Sequence, residues 1–178
     1  MQLLLIAFLA ATSAANAPPR PPSLQAAPPT APACTKPEFR QFDFWVGDWK
    51  VYATGSSYQV GESRVERLYG GCVLRENWQA IKGPAGGSLN TYVPATRSWR
   101  QTWADGSGSW TEYSGTFQAN QMRYLARGTN RQGAPVLLRM VFTANADGTV
   151  RQTIEASTDE AATWTMNTDL TYRRKSGS

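Results

Sequence analysis

Glu76 is the residue of this chain best placed to do chemistry. It stands between Leu74 and Trp78 at a spacing of two, so on a β-strand all three side chains leave the same face. If that face looks inward, a carboxyl group lies among apolar side chains. Loss of water there raises its pKa and makes it a candidate binding or catalytic group. Three readings follow. Glu76 faces water and pairs with Arg64 or Arg75 across the sheet; it contacts a ligand; or it is a general acid or base. The chain contains no histidine. That excludes Ser-His-Asp and Cys-His nucleophilic machinery and histidine-held zinc or haem. No metal and no cofactor is therefore expected, and any proton transfer would fall to Glu, Asp, Tyr or Lys.

The elements that would position Glu76 are strands. From Trp49 onward the apolar pattern has a period of two, and ten runs emerge: 49–54, 58–68, 72–81, 88–93, 98–104, 109–117, 122–127, 136–144, 149–158 and 163–173. Turn signals separate them, among them Gly70-Gly71, Gly83-Pro84, Asp105-Gly106, Asn120 and Asp147-Gly148. Ten hairpin-linked strands without intervening helices predict an all-β fold, a closed antiparallel up-and-down barrel of about ten strands, because closure removes exposed edges. A barrel of that size has room for one small ligand. Alternation places Trp99, Gln101 and Trp103 on one face of the fifth strand, and Val136, Leu138, Met140 and Phe142 on one face of the eighth. Val150, Gln152, Ile154 and Ala156 share a face of the ninth, and Trp164, Met166, Leu170 and Tyr172 one of the tenth. The candidate ligand contacts are Arg64, Glu76, Trp78 and Tyr92 from the earlier strands, with Gln101, Trp103, Gln152 and Tyr172 from the later ones; Arg174 is a further companion for Glu76.

Before the strands, Thr35-Lys36-Pro37-Glu38 reads as a capping box opening a short helix over about 36–42. Phe39 and Phe42 would share one face of it, and Trp45 would extend that face as a plug across one end of the barrel. Residues 1–15 carry the apolar run Leu3 to Leu9 followed by small residues, the pattern of a secretory signal cut before Asn16, although no Lys or Arg precedes the run. The run is too short to span a membrane. Residues 16–33 follow as a proline-rich linker: the stretch from Ala17 to Ala33 holds seven of the eleven prolines, which makes it an extended spacer. The folded domain is expected over 34–175, with 176–178 as a tail.

In an exported chain, the two cysteines, Cys34 and Cys72, read as a disulfide, worth roughly 3–4 kcal/mol for a loop of this length. The alternative is two buried free thiols. The domain keeps 17 of the chain's 18 basic residues against 13 acidic ones, interspersed along the strands. Nucleic acid is not an expected partner, since that needs a basic patch or stripe.

The string Phe42-Asp43-Phe44-Trp45-Val46-Gly47-Asp48-Trp49 resembles the first lipocalin signature, an aromatic-Asp pair followed by Gly-x-Trp. Together with Ser63-Arg64-Val65-Glu66, Arg75-Glu76-Asn77-Trp78 and Trp99-Arg100-Gln101-Thr102-Trp103, it is similar to the DUF1579 type of exported bacterial proteins over 39–173. The resemblance implies a lipocalin-like or nitrobindin-like barrel without an assigned activity; nitrobindin-like haem binding does not carry over, because it needs a histidine. It also implies that Trp49 packs under a basic side chain near the C-terminus, Arg173 or Arg174, as a cation–π pair, with Trp45 and Gly47 at the same barrel closure. Separately, Ser157-Thr158-Asp159-Glu160-Ala161-Ala162-Thr163-Trp164 resembles the Asp-box hairpin of sialidases, with Ala161 in place of glycine. One copy is a turn device and carries no glycosidase signal.

The expected function is an exported small-molecule carrier or sensor, periplasmic or extracellular, whose partner is a small apolar or amphipathic ligand held in the barrel. Two others compete: an enzyme of the same fold, a decarboxylase, isomerase or hydrolase using Glu76 with arginine or tyrosine helpers, and a structural envelope module without a ligand.

Overall fold

The computed structural model describes residues 34–130 and 132–176. The expected signal segment 1–15 and linker 16–33 lie outside the described residues, as do the last two residues of the tail.

Ten strands follow one another: β1 (Gly47–Ala53), β2 (Gln59–Leu68), β3 (Val73–Ala80), β4 (Gly86–Val93), β5 (Ser98–Asp105), β6 (Trp110–Gln118), β7 (Gln121–Thr129), β8 (Pro135–Ala144), β9 (Val150–Ser157) and β10 (Thr165–Arg174). All lie within two residues of the expected bounds. Each pairs antiparallel with its sequence neighbour, and β1 pairs with β10, Trp49 opposite Arg174, so the sheet closes into a barrel. Closure leaves no strand edge unpaired.

The up-and-down order sorts the connections to two ends. Turns 69–72, 94–97, 119–120 and 145–149 lie at one end, with the start of β1 and the finish of β10. Turns 54–58, 81–85, 106–109 and 158–164 lie at the other, here called the mouth, with the connection from β7 to β8. Short polar side chains build several of these turns. Asp105 Oδ1 accepts from the backbone N–H of Ser107 (2.9 Å), Asn130 Oδ1 from those of Gln132 and Ala134, and Asp147 Oδ1 from that of Thr149 (3.0 Å). At 119–120 both residues are left-handed, φ +50° and +58°, the pairing that matches the twist of a two-residue hairpin.

The Asp-box resemblance is realised as a hairpin at the mouth. Asp159 accepts from the backbone N–H and the hydroxyl of Thr163 (2.9 and 2.6 Å) and from the hydroxyl of Ser157 (2.7 Å). Ala161, at φ +75°, occupies a left-handed position without being glycine. The guanidinium of Arg139 lies 4.3 Å from the centroid of Trp164.

The segment before β1 forms two 3-10 turns, Pro37–Arg40 and Asp43–Trp45, instead of one helix over 36–42. The capping box does not form. Lys36 is the N-cap, extended at ψ 148°, and no side chain caps the turn. Pro37 accounts for this, since a residue before proline is pushed out of the helical region. Phe39, Phe42 and Trp45 are spaced by three, the interval at which side chains eclipse on a 3-10 helix, and all three are buried. Phe42 stacks on Trp45 at 4.9 Å and meets Trp99 and Phe142 edge-on. Trp45 also packs against Phe142 and Tyr172. This cluster plugs the end where β1 begins.

The plug is fastened in three ways. Cys34 and Cys72 form a disulfide, Cα atoms 5.0 Å apart. Arg40 donates to the carbonyls of Cys34 and Gly71. Asp43 pairs with Arg67 of β2 at 2.5 Å. At the barrel seam, Trp49 Nε1 donates to the Trp45 carbonyl (2.8 Å), and Arg174 covers the Trp49 ring at 4.4 Å while donating to the Val46 carbonyl (3.1 Å). Of the two arginines, Arg174 takes Trp49 and Arg173 covers Tyr52 at 4.5 Å. Gly47 is needed here: its φ is +141°, and a β-carbon would run into the Arg174 guanidinium.

The inner faces follow the alternation with one exception. In β10 the register with β9 shifts between Met166 and Thr168. Met166 pairs with outward-facing Glu155, whereas Thr168 pairs with inward-facing Ile154. Trp164 and Met166 therefore do not share the face of Leu170 and Tyr172. Trp164 lies under Arg139 and Met166 is exposed. The extra residue of this β-bulge reverses the parity that strict alternation assumes.

Candidate functional site

A cavity of about 340 Å³ lies inside the barrel on the mouth side of the plug. Its walls come from facing strands: Glu76 and Trp78 on β3, Gln101 and Trp103 on β5, Gln152 on β9 and Tyr172 on β10. Six of the eight expected contacts are thus brought together. A larger hollow, about 730 Å³, lies on the outer surface across β6–β9. Two of its arginines are already paired, Arg139 with Glu155 at 2.5 Å and Arg151 with Asp169 at 2.5 Å. The interior cavity is lined by buried and half-buried side chains that converge from opposite walls and is the candidate site.

Two expected contacts lie elsewhere. Arg64 is on the outer face, its side chain 61% exposed, beside Glu66 (3.3 Å) and Asp48 (3.8 Å). Tyr92 points inward but one level deeper, edge-on to Phe39 at 5.5 Å and beside Trp99, so it belongs to the plug. Arg174, the further companion considered for Glu76, is engaged at Trp49.

Glu76 is 5% exposed. The water-facing reading, in which it pairs with Arg64 or Arg75, is overturned: Arg75 pairs with Glu66 at 2.6 Å. The partners of Glu76 are instead two serines. Ser63 donates to Oε1 (3.0 Å) and Ser88 to Oε2 (3.1 Å). Ser88 in turn accepts from Asn90 Nδ2 (3.0 Å), and Asn90 Oδ1 accepts from Gln101 Nε2 (2.8 Å). On the other side the Tyr172 hydroxyl donates to Gln152 Oε1 at 2.8 Å. Such a satisfied internal network fixes its members' positions. Burial pushes the Glu76 carboxyl up to about 7; hydrogen bonds from Ser63 and Ser88 oppose the shift without cancelling it. Burial and the neighbouring Glu76 charge raise the Tyr172 phenol, and burial alone takes that of Tyr113 to about 12.

The two mouth tryptophans lie against glycines of adjacent strands. A β-carbon on Gly61 would stand 2.6 Å from the Trp78 ring, and one on Gly86 would stand 2.9 Å from the Trp103 ring. Each glycine leaves the space its tryptophan fills. Trp103 Nε1 is held by Asp105 Oδ2 at 3.2 Å.

Sequence reasoning missed Ser63, Ser88 and Asn90. Their signal was parity: Ser63 shares an inward face with Val65, and Ser88 and Asn90 share one with Tyr92. Small hydroxyl residues do not register in a search for apolar alternation. It also missed Tyr113, which lines the cavity from β6.

Chemically, the site offers one buried carboxyl group of near-neutral pKa, amide and phenol hydrogen-bonding groups, and two indole rings. No protein-family model matches the chain, and comparison with curated proteins finds no match.

Proposed function

We propose that the protein binds a small apolar or amphipathic molecule in the interior cavity and acts as an exported carrier or sensor. The observation that carries this reading is the cavity itself, closed at one end by the Phe42–Trp45 plug and lined at the other by aromatic walls with a few convergent polar groups, the usual make-up of a small-molecule site. Export rests on the signal-like run at residues 3–9 and on the disulfide, which suits an oxidising compartment. The lipocalin-like, DUF1579-type affiliation belongs to the same reading and rests on the quoted strings around Trp49, Glu76 and Trp103.

Native mass spectrometry of protein purified from its own host tests the binding. A bound mass that is lost on denaturation, and absent from a cavity-filled Ile154→Trp variant, is the expected result. Equal masses for native and denatured wild-type protein would count against the proposal.

A second reading is favoured by one observation: a buried carboxyl group titrating near 7 is suited to general acid–base catalysis. Glu76→Gln separates the two. An enzyme loses turnover and keeps binding, whereas a carrier has no turnover to lose.

A further inference from the structure

The cavity holds an acidic group that no basic side chain answers among the described residues lining it. Among the described residues lining it, Glu76 is the one that ionises to an anion near neutral pH, and none is a lysine or arginine. Four arginines of the surrounding strands are engaged on the outer face: Arg64 and Arg75 with Glu66, Arg139 with Glu155, Arg151 with Asp169. What faces Glu76 inside is neutral: Ser63 from β2, Ser88 from β4 and Tyr172 from β10.

The hydrogen bonds set the polarity of the carboxyl group. One serine hydroxyl donates to each oxygen, so both oxygens act as acceptors, and each keeps a further lone pair. When Glu76 is ionised, its carboxylate can therefore take a further donor from a ligand. A ligand carboxylate would meet like charge, and a neutral ligand would leave the desolvated anion without a counter-charge. The remaining walls suit a cation as well. The rings of Trp78 and Trp103, with Tyr113, line the same space, and aromatic rings attract organic cations. The volume, about 340 Å³, lies near the lower end of the roughly 300–1,000 Å³ typical of small-molecule sites.

We infer that the cavity selects small organic ammonium ions: a protonated amine donates to Glu76, and its hydrocarbon part lies against Trp78 and Trp103. The inference rests on the cavity-binding reading and narrows it to a ligand class. A cation also offsets the burial that holds the Glu76 proton, so binding and ionisation of Glu76 reinforce each other.

Three probes of one shape test it: phenethylamine, 2-phenylethanol and 3-phenylpropionate, titrated by calorimetry into the full-length protein at about pH 8, above the Glu76 pKa. The amine is expected to bind about tenfold or more tightly than either analogue, as a charge-assisted hydrogen bond warrants. Glu76→Gln should abolish that preference, so that the amine binds no more tightly than 2-phenylethanol. Trp103→Leu, at a half-buried mouth position, gives a second readout that spares the internal network. It should weaken the amine several-fold more than the alcohol. Equal binding of amine and alcohol by the wild type, or a preference that survives Glu76→Gln, overturns the amine assignment and leaves cavity binding standing. No binding of any probe up to about 10 mM, a Kd beyond the weakest useful affinities, overturns both.

Discussion

Ser63 donates a hydrogen bond to Glu76 across 3.0 Å, although the residue directly opposite Glu76 on β2 is Val65. The contact is diagonal across the inner face of the β2–β3 pair, within the range over which same-face neighbours interact. Together with Ser88 it keeps a carboxyl group satisfied at a depth where its ionisation is opposed.

That depth predicts a pH dependence of stability. The Glu76 pKa is about 7 in the folded protein against 4.5 ordinarily, so between those values the folded state holds a proton that the unfolded state has released. The contribution is present in full below about pH 4.5 and is lost as pH rises through 7, amounting to about 3 kcal/mol. Urea unfolding at several pH values should show this decline in the wild type and its absence in Glu76→Gln.

At the seam, Arg174 both covers Trp49 and donates to the Val46 carbonyl. Arg174→Gln should cost about 1–2 kcal/mol. Gly47→Ala should also destabilise, by backbone strain at φ +141° and by collision with that guanidinium. The collision disappears when Arg174 is shortened, so chemical denaturation should find the two changes less than additive.

Removing the disulfide with Cys34→Ser and Cys72→Ser opens a loop of 38 residues and should cost about 4 kcal/mol in the chain-entropy account. The unfolding midpoint of the wild type in reductant should approach that of the double variant.

Ala161→Gly relieves a left-handed alanine in the mouth hairpin and should raise stability by up to about 1 kcal/mol, measured by thermal unfolding. Asp159, the acceptor at the centre of this turn, has its carboxyl held down to about 2, first by the Thr163 hydroxyl. Its contribution is present above the ordinary 3.8 and is lost as pH falls toward 2. Amide exchange at Ala161 and Thr163 should quicken over that interval and in Asp159→Ala.

Much of the barrel was legible because a strand with one buried face has to alternate. Alternation put Leu74, Glu76 and Trp78 on one face, and Trp99, Gln101 and Trp103 on one face, but it left open whether Glu76 looked inward or toward water. It failed where a local residue count broke the parity, at Met166–Thr168, and where proline chemistry competed with a capping pattern, at Thr35–Pro37. Nor does alternation measure depth along a strand, so Tyr92 was grouped with the cavity when it belongs to the plug. The serines that hold Glu76 are chosen by cross-strand register, which a single sequence does not display.

The two ends of this barrel have different freedoms. The disulfide, the aromatic plug and the Arg174 seam all tie down one rim, while the five connections at the other cross none of them. Residues in those five loops can be lengthened or exchanged without loosening the anchored rim. The molecule thereby confines its fastenings to one rim and leaves the other rim free to vary.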